Sequence, residues 1–174
     1  MDTPRFNIWR IRGSYSPGVP DAYNRAKSAR AEVIDAATLV EIELNDFLCL
    51  SLAGADKQRS ELVTNSILTA EFCTLFQKWR ILRIALAGSG VEDPERKEQL
   101  TRLKDLIAMR NAFAHGEVVV DSSSLIATLI YREGERKSLV IDEETTSSIL
   151  NEAMLSFQWI SGLNQKAKGS ASEL

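Results

Sequence analysis

The chain has 174 residues but only two cysteines and one histidine. Cys49 and Cys73 lie far apart and form no CxxC pair, so no zinc site built from Cys and His is expected. No metal or cofactor is expected elsewhere. Long apolar runs are also missing: charges interrupt every stretch, so no membrane span is expected. The opening residues, MDTPRFNIWRIRG, lack the charged-then-apolar pattern of a secretory signal. A cytoplasmic address follows as the expectation, with both thiols reduced and buried as small apolar groups. Excess positive charge is absent too. Lys and Arg number 21 against 24 Asp and Glu, a net charge of −3. That balance excludes a histone-like nucleic-acid coat or a polybasic membrane binder. What is present, 44% hydrophobic and 26% charged residues, suits one globular domain with a real core.

Residues 1–20 read as an irregular N-terminal arm, punctuated by Gly13, Pro17, Gly18 and Pro20. Phe6, Ile8, Trp9 and Ile11 are apolar enough to dock it on the body. Arg5, Arg10 and Arg12 between them read as solvated charges, though with Phe6 and Trp9 they can touch nucleic acid by charge and stacking. A first helix is predicted from Asp21 to Leu52, with Val33, Ala37, Val40, Leu44 and Phe47 or Leu48 on its core stripe. A second is predicted from Ser60 to Ala87. Its seam is Leu68, Phe72, Leu75, Trp79, Leu82 and Leu86, ended by the connector Gly88-Ser89-Gly90. The third opens with Asp93 as N-cap and Pro94 in the first turn, and Gly116 ends it.

The period then changes to two. Leu125 to Tyr131 and Lys137 to Ile141 read as the strands of a hairpin turning at Arg132-Glu133-Gly134-Glu135. Asp142 caps a fourth helix whose core face is Ile149, Ala153, Phe157 and Ile160. Residues 166–174 read as a flexible tail. The predicted class is all-α: a four-helix bundle over residues 21–165, with a β-hairpin at about 118–141 between its last two helices.

One constellation carries chemistry. Arg110-Asn111-Ala112-Phe113-Ala114-His115-Gly116 places the only histidine in the last turn of the third helix. Asn111 and His115 are four apart and share a helical stripe, with Arg110 one residue aside. Arg110 offers a charged fork matched to phosphate oxygens. His115 can pass a proton near neutral pH. Asn111 can orient the imidazole or hold a ribose or phosphate oxygen. RNA carries its own nucleophile, the 2′-OH, so such a set suits metal-free cleavage of a phosphodiester. A two-fold dimer supplies two histidines, one as base and one as acid.

Arg-Asn-x-x-Ala-His-Gly late in the third helix of a small bundle resembles the HEPN superfamily, whose signature is Arg, four to six residues, then His. Arg110, Asn111 and His115 match that signature. Glu41 resembles the acidic residue of the family's early helix, and Phe72, Phe76, Lys78, Trp79 and Leu82 resemble its second helix. The resemblance spans roughly residues 25–165. It implies a homodimeric, metal-independent endoribonuclease acting on RNA, in the manner of toxins, phage-defence effectors or RNA-processing enzymes. It also admits a non-catalytic module: a nucleotidyltransferase partner, or a regulator similar to the mannitol operon repressor. An antitoxin is a further implied partner.

Each site residue has a plainer use. Arg110 can pair with Glu41 or Glu43. His115 can cap its helix, because a cation there meets the negative end of the dipole. Glu41 can be a paired or solvated carboxylate. Lys78 and Arg83 read as solvated, though either can line an RNA path. Trp79 reads as core.

Overall fold

A computed structural model describes residues 9–12, 17–54, 56–70, 73–87 and 93–171. These residues are mostly helical, with five α-helices and one four-stranded sheet. In chain order they are β1 (Trp9–Arg12), α1 (Val19–Ala53), α2 (Lys57–Val63), α3 (Leu75–Ala87), α4 (Pro94–His115), β2 (Glu117–Asp121), β3 (Ala127–Glu133), β4 (Glu135–Val140) and α5 (Glu143–Ala171). No helix among them is long and apolar enough to cross a membrane. The described residues fall into two compact units. One holds residues 1–35 and 108–150, and the other holds 36–107 and 151–174.

The first unit is built on the sheet, whose order is β1-β2-β3-β4. β1 pairs parallel to β2, from Trp9 with Val118 to Arg12 with Asp121. β2 and β3 pair antiparallel, as do β3 and β4. Val118, Val119 and Val120 are all buried, as an internal strand covered on both faces requires. β4 is one of the two edge strands. Its Glu135, Arg136 and Lys137 are exposed, and charge on an edge discourages further pairing. Gly134, at φ 73°, makes the turn between β3 and β4. Phe113 from α4, Val33 and Ala26 from α1, and Leu129 from β3 are the centre of this unit's core.

The second unit packs Val40, Leu44 and Leu48 of α1, Leu75, Trp79 and Leu82 of α3, Leu103 and Ile107 of α4, and Ala153 and Ile160 of α5 as buried residues. Lys78 is buried with them and pairs with Glu41 at 2.5 Å.

Several boundaries depart from the sequence reading. The arm is not irregular throughout, because Trp9–Arg12 is a strand, and α1 begins at Val19. The second helix is two. α2 starts at Lys57, where Asp56 accepts from the Arg59 N–H at 3.0 Å. It winds into a π-helical turn over Thr64–Leu68, and the Thr69 hydroxyl then donates to the Thr64 carbonyl. α3 starts afresh after Thr74, whose hydroxyl accepts from the Gln77 N–H. Threonine hydroxyls that compete for backbone groups divide what hydrophobic spacing alone reads as continuous.

The hairpin is part of a larger sheet that includes β1 and β2. Residues 166–171 continue α5 rather than forming a tail. Phe157 is 38% exposed, and Ser156 takes its expected place in the core. Cys73 is buried as expected, whereas Cys49 is only half-buried, its thiol near the Ser60 carbonyl. The starts of α4 and α5 agree with the sequence: Asp93 accepts from the Glu95 N–H at 3.0 Å, and Asp142 from the Thr145 N–H at 2.8 Å. Arg5, Phe6, Phe72 and the connector at Gly88 lie outside the described residues, as do 172–174.

Candidate functional site at the end of α4

The last turns of α4 are amphipathic by position. Ala112 and Phe113 point into the first unit's core at 5% and 0% exposure. Helical spacing then turns Asn111 and His115 outward, and both are exposed. Arg110 is half-buried beside them, and its guanidinium donates to the Asn111 side-chain oxygen at 3.2 Å. Three of the four sequence-expected residues therefore share one exposed helix end.

Two features fix where that end lies. Gly116 is buried, and its N–H bonds back to the Ala112 carbonyl at 2.7 Å. A Cβ on Gly116 would fall 2.5 Å from the Ala112 oxygen and 2.7 Å from the Leu129 side chain. Glycine is needed here for close approach of β3 to the helix end rather than for a left-handed turn. The second feature is Arg30 of α1. Its guanidinium donates to the carbonyls of Ala114 and Gly116, two of the acceptors that a helix C-terminus leaves unsatisfied. Partial burial lowers the pKa of Arg30 from the ordinary arginine value.

Arg30 thus performs the capping that the plainer reading assigns to His115. Among the described residues the His115 imidazole makes no hydrogen bond. Sequence reasoning missed Arg30, since a single arginine on α1 carries no motif. The available signal was the accounting question of which donor satisfies the carbonyls after Ala112.

Glu41 makes a different contact. It belongs to the second unit, and its carboxylate accepts from the Lys78 ammonium. That side chain of Lys78 is 5% exposed, so Glu41 neutralises a buried charge. Lys78, read as solvated, is corrected by the same observation. Trp79 is core, as expected, and its indole N–H donates to the Leu100 carbonyl at 2.8 Å.

No cluster of three His, Cys, Asp or Glu suited to a metal occurs among the described residues. Chemically, the end of α4 offers an exposed amide and imidazole and a half-buried guanidinium bonded to that amide. Neither a protein-family model nor a curated protein nor a solved structure matches this chain.

Proposed function

We propose that the chain is a metal-independent endoribonuclease of the HEPN type, with Arg110, Asn111 and His115 as its site. The observation that carries this reading is the uncommitted His115: Arg30 caps the helix, and the imidazole is left exposed on the stripe of Asn111, whose side chain bonds Arg110. In the proposed reaction a base removes the proton of a ribose 2′-OH. The freed oxygen attacks the adjacent phosphorus and the bond to the 5′-oxygen breaks. An acid protonates the departing oxygen, which leaves a 2′,3′-cyclic phosphate. Arg110 holds the charged oxygens of the phosphorane, and Asn111 positions Arg110 through their shared hydrogen bond.

Where imidazoles serve as both acid and base, two are needed, and each chain has one. The site is therefore composite in a homodimer, each copy giving one His115. A toxin or phage-defence role is the cellular counterpart of this activity, and an antitoxin or nucleotidyltransferase is its natural partner. The net charge of −3 favours a second reading, a non-catalytic binding or regulatory module of the same fold family.

The experiment is RNA cleavage in EDTA with analysis of the product ends. Cleavage that persists under chelation and leaves cyclic phosphates supports the proposal. Cleavage restored only by a divalent ion sinks it. A protein that stays monomeric in light scattering while cleaving RNA removes the composite site.

A further inference from the structure

The second unit contains a groove of about 680 Å³ along α3 and α4. Its charged lining among the described residues is Arg83 from α3, Arg96, Lys97 and Lys104 from α4, and the single carboxylate of Asp93. Asp93 is already engaged. One oxygen accepts from the N–H groups of Glu95 and Arg96, and the other lies 4.0 Å from the Arg96 guanidinium. Arg96 also donates to the Leu86 carbonyl at 2.6 Å. Arg83, Lys97 and Lys104 are exposed and form no ion pair among the described residues.

The acids of α4 do not offset these cations. Lys97, Thr101 and Lys104 recur four and three residues apart, which puts them on one stripe. Glu98 and Arg102 occupy the neighbouring stripe. There Arg102 bonds Glu98 at 3.1 Å and Glu152 at 2.7 Å, so both carboxylates are already engaged. A chain with an overall excess of acid has thus collected unpaired cations along one groove.

The groove's base is rigid. Trp79 is held through its indole N–H, Phe76 stacks on it at 5.4 Å, and the Arg83 guanidinium sits 5.4 Å over the ring. That contact orients a fork suited to phosphate. Trp79 itself is only 9% exposed, which leaves little ring face for a base to stack on.

We infer that this groove binds the phosphodiester backbone of a nucleic acid without reading its bases. Lys97 and Lys104 are two helical turns apart, about 10 Å along the axis, enough to engage more than one phosphate. The inference goes beyond the cleavage reading, because binding here requires no reaction at His115.

The test uses the full chain carrying His115→Ala, so that the probe stays intact. Fluorescence anisotropy follows a labelled single-stranded RNA of about fifteen nucleotides, near the upper site size of single-strand binders. Arg83→Glu, Lys97→Glu and Lys104→Glu should each weaken binding. Each should also flatten the slope of log affinity against log salt by at least about 0.7, the share of one cation on a single strand. Lys27→Glu, an exposed control on α1, should change neither. Single-stranded DNA of the same length should compete comparably. Circular dichroism melts of these surface variants should superimpose. Unchanged affinity and slope in all three reversals overturn the inference. So does a parent protein that leaves the probe unbound at about 100 µM, the weak end of non-specific affinity. Cleavage lost in His115→Ala with binding retained bears on the reaction alone, so the two readings fail separately.

Discussion

Two sets of polar side chains on helices look alike in the sequence and differ in what surrounds them. Lys78 and Glu41 form one set. The lysine is buried, and its charge is matched by the carboxylate. Arg110, Asn111 and His115 form the other. Among the described residues their one side-chain hydrogen bond joins Arg110 to Asn111, and His115 is left to solvent. The first set spends its charge inside the protein, while the second holds it available for a ligand. Residue type does not separate a satisfied pair from an open set. What separates them is whether the partner is already present.

The largest effect that sharpens this contrast is kinetic. His115→Ala should remove RNA cleavage, a loss of about 10²–10⁴-fold for a general acid or base, while the melting temperature holds. Arg110→Ala should lose cleavage and also weaken RNA binding, and Arg110→Lys should restore only part, since an ammonium lacks the bidentate fork. If His115→Ala melts early instead, the imidazole belongs with Lys78 as a structural group.

Lys78→Ala should act in the opposite way. It leaves Glu41 facing an apolar interior and should cost about 2–3 kcal/mol in urea unfolding, reduced from a fully buried pair because Glu41 is partly exposed. Joint replacement, Lys78→Met with Glu41→Leu, should recover most of that loss. A single Lys78→Ala variant as stable as the parent breaks the comparison.

Arg30→Ala comes next, at about 1–2 kcal/mol for two carbonyls that lose a charged donor. Calorimetry reads it directly, and a neutral result returns the capping role to His115.

The smallest expected effect is a pH dependence at the ends of the sheet region. The carboxyl of Asp142 is held below its ordinary value by the Thr145 N–H and hydroxyl, and that of Asp121 by the N–H and hydroxyl of Ser124 and the Ser123 N–H. A depressed folded-state pKa contributes stability above the unfolded value and loses it as pH falls through the folded one. The melting temperature should therefore decline below about pH 4, the ordinary aspartate range, and Asp142→Ala should make the decline shallower. An identical acid profile in the variant would show that the Thr145 contacts contribute nothing.

Local chemistry was legible before the structure. Asp93 with Pro94, Asp142 with Glu143, and the Gly134 turn each announce themselves through neighbours in sequence, and each lies where expected. The Asn111–His115 stripe was legible for the same reason, since helical period fixes which residues share a face. What was hidden depends on distant partners. β1 is four residues long and exists because β2 lies beside it. The break between α2 and α3 turns on hydroxyls that choose backbone partners. Arg30 serves carbonyls 84 and 86 residues away. Glu41 was drawn toward the site by resemblance, and its role became clear only when Lys78 proved buried.

The pairing of Trp9 with Val118 also orders events during synthesis. β3 and β4 follow β2 closely and can pair as soon as each leaves the ribosome. β1 emerges first and must wait for roughly a hundred further residues, several seconds or more at translation rates of about 5–20 residues per second. The first strand made is thus tied to a partner that does not yet exist, and the parallel edge of β2 is closed only after most of the chain has appeared.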